Sequence, residues 1–94
     1  MNMNLFNLNG KVAVVTGGNG GIGLGISRTL SQAGARIVIA ARNKDKSQQA
    51  LQELRKTGAD AISINVDVAN KDSVETLVES TVNQFGRLDI LVNN

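Results

Sequence analysis

The stretch Thr16-Gly17-Gly18-Asn19-Gly20-Gly21-Ile22-Gly23 sets five glycines in eight positions directly after the apolar run Val12-Ala13-Val14-Val15. Glycine loses more conformational entropy on folding than any other residue, so a cluster this dense calls for a physical return. The residues on either side supply one. Ahead lies a short β-branched run that reads as a buried strand; behind, Ile22, Ile26, Thr29, Leu30 and Ala33 recur at helical spacing. A strand therefore feeds a helix through the glycines. At such a junction the first N–H groups of the helix lack intrahelical partners and point outward. Bare backbone lets a pyrophosphate reach them, and it allows positive φ at the turn. Two registers fit the letters: Gly18, Gly20 and Gly23 make GxGxxG, while Thr16, Gly17, Gly21 and Gly23 make TGxxxGxG. A P-loop does not fit, because no Gly-Lys followed by Ser or Thr closes the motif and no lysine stands near the loop. A tight turn without a ligand is the competing reading.

The same alternation continues down the chain. Residues 37–41 read as a second buried strand, and Ala50, Leu51 and Leu54 mark the inner face of a second helix. Ile62, Ile64 and Val66 alternate with Ser63 and Asn65, as in an edge strand with one wetter face. Val74, Leu77, Val78, Thr81, Val82 and Phe85 then trace a third helix, with Asp72 and Glu75 spaced as a capping box at its start. Residues 88–92 close as a fourth, buried strand. Gly34, Gly58 and Gly86 each stand where a helix stops. Strict β, α, β, α order with short connections implies right-handed crossovers and a parallel sheet. The expectation is an α/β chain: a Rossmann-type doubly wound sheet of about four strands in the order 3-2-1-4. The first two helices would cover one face and the third the other. One helix cannot cover a whole face, so residues 1–94 are expected to be the N-terminal part of a dinucleotide-binding domain in a longer polypeptide. The uncovered face is expected to favour association.

Composition limits the alternatives. Ninety-four residues make one small domain, and with 41% hydrophobic but only 2% aromatic residues the core must come from Val, Ile, Leu and Ala. Ten basic and eight acidic residues give a net charge of +2 with no basic stripe, which argues against nucleic acid as a partner. The lack of Cys and His removes disulfides, thiolate nucleophiles and nearly every transition-metal site, so no metal is expected. No segment reaches the roughly 18 apolar residues of a membrane span, and the expected location is cytoplasmic.

Three motifs in order resemble the short-chain dehydrogenase/reductase family across all 94 residues: the TGxxxGxG of residues 16–23, Asp67-Val68 after the third strand, and Leu91-Val92-Asn93-Asn94. The opening LFNLNGKVAVVTG, residues 5–17, is similar to the family's amino terminus. The resemblance implies that Gly17, Asn19, Gly21, Ile22 and Gly23, with Gly18 and Gly20 in the same loop, line the pyrophosphate and nicotinamide-ribose side of a cofactor. It implies that the Asp67 carboxylate and the Val68 backbone meet adenine, that Asn94 sits near the adenosine ribose, and that Asn93 ties neighbouring strands together. A solvated loop acid is the alternative for Asp67, and ordinary turn chemistry for the Asn pair.

Enzymes selecting NAD place an acid at the end of strand 2 for the ribose 2′-hydroxyl; here that residue is Ala41. Arg42 follows, beside Asn43, and its guanidinium can grip a 2′-phosphate. NADP(H) is therefore favoured. NAD(H) stays open, because the loop position often basic in NADP-preferring members is Gly20. Arg42 also reads as one of several solvated charges beside Lys44 and Lys46. The implied activity is hydride transfer between the nicotinamide and a small carbonyl or alcohol substrate, in a homodimer or homotetramer with no nucleic acid or membrane partner. The family's tyrosine, lysine, serine and asparagine lie beyond the last motif. With no tyrosine in this chain, and with Ser27 and Ser31 in the wrong segments, no catalytic residue is assigned, and these residues alone are expected to be inactive. A redox sensor on the same fold, binding dinucleotide without catalysis, is the alternative.

Overall fold

The computed structural model describes residues 7–67 and 69–94. Val68 and the beginning of the 5–17 stretch lie outside the described residues. The chain alternates β1 (Val12–Thr16), α1 (Gly21–Gln32), β2 (Arg36–Ala41), α2 (Lys44–Lys56), β3 (Ala61–Asn65), α3 (Lys71–Phe85) and β4 (Ile90–Val92). The four strands form one parallel sheet in the order β3-β2-β1-β4, the doubly wound arrangement expected from the sequence. No described helix is long and apolar enough to cross a membrane.

The central strands are apolar from Val12 to Val15 and from Ile37 to Ala41 because both of their faces are covered there. Their side chains still alternate. Ala13, Ile37 and Ile39 face one cluster with Ala50, Leu51 and Leu54 of α2, against which Leu24 and Leu30 of α1 pack. Val12, Val14, Val38 and Ala40 face the other, with Leu77 of α3 and Val66. Fully burying each Val or Ile contributes about 1.5–3 kcal/mol, so β1 and β2, whose apolar core residues have almost no exposure, form the rigid floor of the domain.

Several local expectations are corrected. Ile22 is 78% exposed rather than on the inner face of α1; Gly23 and Ser27 hold that face, since the helix begins so close to β1 that only small residues fit. The capping box gives way to Asn70, whose Oδ1 accepts from the N–H of Asp72 at 2.9 Å and of Ser73 at 3.4 Å, so α3 starts a turn before its first apolar residue. The third strand begins at Ala61 and ends before Val66. The fourth strand is only partly buried, Leu91 being 54% exposed. On that face Val78 and Val82 are also exposed, and an apolar cavity of about 130 Å³ lies between α3 and the sheet. Gly34, Gly58 and Gly86 do carry positive φ past the three helices.

At the amino end of the sheet the chain is fastened by charge. The Val12 N–H donates to Asp89 Oδ2 at 2.9 Å, where a strand carbonyl would otherwise accept, and the Asp89 N–H donates back to the Val12 carbonyl at 2.9 Å. The same carboxylate accepts two 2.7 Å bonds from the Arg87 guanidinium. Hydrogen bonds from Arg87, and then from the Val12 amide, hold the Asp89 carboxyl below the usual carboxylate range. A depressed folded-state pKa stabilises the fold above the unfolded value and loses that contribution as the pH falls through the folded one. The urea midpoint of Asp89→Asn should therefore lie below that of the parent at neutral pH, with the gap closing as the pH falls below about 4. A gap that survives unchanged at about pH 2 would refute this role for the charge.

Candidate functional site

At the carboxyl end of β1 the chain leaves the sheet within two residues. The Gly17 N–H still donates to the Ala40 carbonyl at 2.8 Å, and Gly18 turns back to donate to the Val15 carbonyl at 3.2 Å. Gly17 has φ +64° and Gly21 φ +55°, backbone that a side chain would strain. Gly23 is needed for space instead. A Cβ there would overlap the Gly17 carbonyl oxygen and lie 2.8 Å from Asn94 Nδ2. A Cβ on Gly18 would lie 2.8 Å from Ser27 Oγ and 2.9 Å from the Val15 carbonyl oxygen.

Three neutral side chains fix this loop. The Ser27 hydroxyl, fully buried on α1, reaches the Gly23 carbonyl at 3.0 Å and the Gly18 carbonyl at 3.3 Å, linking the two halves of the turn. Thr16 Oγ1 accepts from the Asn94 N–H at 2.9 Å and donates toward the Val92 carbonyl at 3.2 Å, so the ends of β1 and β4 are joined. Its contact with Asn93 Oδ1, at 3.4 Å, is weaker. Asn19 Nδ2 donates to Ser47 Oγ at 3.2 Å and toward the Asn43 carbonyl at 3.5 Å, which docks the loop on the start of α2.

The start of α1 differs electrostatically from the other helix starts. Asn43 caps α2 and Asn70 caps α3, whereas Gly20 puts no side-chain cap on α1 and no acid stands in its first turn. Roughly half a positive charge is associated with such a terminus. Next to it lies a cavity of about 380 Å³ along the carboxyl ends of the strands, walled by Thr16, Gly17, Ala41, Arg42, Asp67 and Asn94, among others.

Of the residues singled out from the sequence, Gly17, Arg42, Asp67 and Asn94 share this cavity. Gly21 and Ile22 are exposed on the first turn of α1 beside it, while Gly18 and Gly23 are buried in the turn. Asn43 is occupied as a cap, its Oδ1 accepting from the Lys46 N–H at 3.0 Å. Asp67 Oδ1 accepts from the Ala69 N–H at 3.0 Å, which leaves the carboxylate exposed at the rim. One reading of the sequence fails in space: a lysine does lie near the loop. Lys46 reaches across from α2, and a Cβ on Gly20 would lie 2.6 Å from its Nζ. Ser27 and Ser47 were also missed as loop supports. Ser27 could have been found from its place four residues after Gly23 on an otherwise apolar face; nothing local marks Lys46 or Ser47. No cluster of metal-ligating residues occurs among the described residues.

The profile of the short chain dehydrogenase family matches residues 11–94. Versicolorin reductase of Emericella nidulans is 41% identical over 90 residues, covering 95% of this chain and 34% of its own. The solved structure of a metagenomic short-chain oxidoreductase in complex with NADP superposes with a TM-score of 0.88 at 39% identity, covering 93% of this chain and 39% of that one. A hydroxysteroid dehydrogenase from Escherichia coli superposes with a TM-score of 0.93 at 32% identity, covering 99% of this chain and 40% of its own. The chain belongs to the short-chain dehydrogenase/reductase family. It spans about a third of the length of the curated relatives it matches.

Two glycines on α1 should respond oppositely to alanine. Gly23→Ala forces a backbone shift at the β1–α1 contact and should cost about 1–3 kcal/mol. Gly25→Ala, with nothing near its added Cβ, should stabilise by about 0.5–1 kcal/mol. Chemical denaturation measures both, and an unchanged midpoint for Gly23→Ala would contradict the close approach described above.

Proposed function

We propose that residues 1–94 form a dinucleotide-binding unit of an NADP(H)-dependent oxidoreductase acting on small carbonyl or alcohol compounds. The observation that carries this reading is the uncapped start of α1, set between glycines and opening beside the 380 Å³ cavity at the carboxyl ends of the strands. Ligands of doubly wound sheets bind in that crevice, where the strand order reverses from β1 to β4. The chemistry of the wall fits a dinucleotide. Glycine backbone and unpaired helix amides suit a diphosphate. Asp67 offers a carboxylate for the exocyclic amine of adenine. Ala41 leaves the end of β2 without the acid that would repel a 2′-phosphate, and Arg42 supplies a cation.

In this reading the chain binds and orients. The amides of residues 21–23 hold the diphosphate, Asn94 and Gly17 bound the ribose, and Ile22 shields one side of the bound cofactor from water. When bound, the nicotinamide supplies hydride chemistry. The proton that accompanies it needs a positioned acid, and no residue of this chain is assigned to that task. Support from relatives is of the same kind: versicolorin reductase is named as a reductase, and the metagenomic neighbour was solved with NADP.

Titration calorimetry of the full-length protein should show NADPH binding more tightly than NADH. Arg42→Ala should weaken NADPH by about tenfold, the equivalent of one charge-assisted hydrogen bond, and leave NADH nearly unchanged. Equal losses for the two nucleotides would defeat the NADP(H) assignment, and failure of either to bind would defeat the proposal as a whole.

A further inference from the structure

The proposal above draws one cation, Arg42, from the loop after β2. The structure contains a second that the sequence does not bring to notice. Lys46 stands in the first turn of α2; the residue is exposed, and the end of its side chain lies over the glycine loop. Its Cε and Nζ fill the space that a Cβ on Gly20 would require: Nζ would be 2.6 Å from that atom and Cε nearer still. Gly20 is extended, with φ −175°, so its conformation does not call for glycine. With no side chain at Gly20, the end of the lysine can lie directly over the loop backbone.

Two contacts hold this arrangement in register. Asn19, adjacent to Gly20, donates to Ser47 Oγ and toward the Asn43 carbonyl, on either side of Lys46. The Asn43 side chain accepts from the Lys46 N–H, which fixes the turn of helix that carries the lysine. The ammonium is also unspent. Within 4.0 Å the described residues give Lys46 no carboxylate partner, nor Arg42 either, whereas Arg28, Arg36 and Arg87 are each paired. Three cations at the β2–α2 turn, Arg42, Lys44 and Lys46, have no carboxylate within 4.0 Å among the described residues; of these, Arg42 lies on the cavity wall and Lys46 over the glycine loop. A monoanion or dianion bound between them would be held from two sides. A bare ribose hydroxyl there would gain little from either charge.

We infer that Lys46 is a specificity-determining residue that, with Arg42, binds the 2′-phosphate of NADP(H). This rests on the dinucleotide reading of the site. The lysine acts from the helix, over the bare backbone of Gly20.

The test is nucleotide affinity by calorimetry on the full-length protein, with three variants compared with the parent. Lys46→Ala should raise the Kd for NADPH by about tenfold while leaving that for NADH within about twofold, since one charge-assisted contact is lost. Lys44→Ala removes an equal charge from the same helix turn, away from Gly20, and should change the NADPH to NADH ratio little. Gly20→Lys combined with Lys46→Ala moves the ammonium from helix to loop and should restore most of the NADPH affinity. NADH affinity reports on folding in every case. Equal losses of NADPH and NADH in Lys46→Ala would mean that the lysine serves the shared diphosphate or the loop itself, and would overturn the inference. Equal effects of Lys44→Ala and Lys46→Ala would reduce it to a diffuse positive field and overturn it likewise. If Lys46→Ala is silent while Arg42→Ala loses NADPH, the inference fails and the proposed function stands. If the parent binds neither nucleotide, both fail.

Discussion

Backbone contact between Gly17 and Gly23 is the constraint from which the site follows. The first residue after β1 and the first turn of α1 lie so close that a single added carbon on Gly23 would overlap the Gly17 carbonyl oxygen. Because β1 is pinned between β2 and β4 and fully buried, it cannot yield. The helix must therefore begin against the end of the strand, with Gly23 close to Gly17 and Asn94, two residues that line the crevice at the carboxyl end of the sheet. Ser27 makes the contact permanent by reaching the carbonyls of both Gly18 and Gly23 from within α1. A larger residue at position 27 would push the helix away, so the small polar face of α1 and the bare loop form one device.

The two ends of the sheet solve different electrostatic problems. At the amino end, Arg36 lies 3.3 Å from Asp60 and 5.4 Å from the Phe85 ring centroid, and Arg87 grips Asp89. Exposed pairs of this kind are worth only about 0–1 kcal/mol each. At the carboxyl end, Arg42 and Lys46 have no carboxylate within 4.0 Å among the described residues, and the start of α1 carries neither cap nor acid. Asp67 shares the cavity wall with Arg42, so the charges there are set by placement and not by the net +2 of the chain.

The sheet order could be read from the sequence because every strand and helix is short and regularly punctuated, and parallel crossovers have one hand. Ile22 misled because helical spacing identifies a face without saying where the helix first touches the sheet; the first turn of α1 stands beyond the strand end. The start of α3 misled for a related reason. Apolar periodicity begins at Val74, yet the cap is Asn70, and the intervening turn is on the surface. That Gly17, Arg42, Asp67 and Asn94 line one cavity could be read from the sequence because each lies close to the carboxyl end of a strand, where the topology fixes position. Lys46 and Ser47 could not be placed in this way. They reach the glycine loop through the packing of α2 against it, a relation between segments that no local spacing encodes.

The supports of the loop are hydroxyls and amides, and their neutrality matters. Thr16, Asn19, Ser27 and Ser47 together tie the turn to β4, α1 and α2 without adding a formal charge. An acid in any of these places could make the same bonds, but its charge would cancel part of the field at the start of α1 and compete with an incoming anion for the same amides. A base would pull the loop carbonyls toward itself. Neutral donors and acceptors hold the geometry and, under the proposed function, leave the helix terminus and the two cations to act on the dinucleotide. Because the turn is held by bonds that exist before any ligand arrives, little ordering would remain to be done on binding, as a preorganised anion site requires.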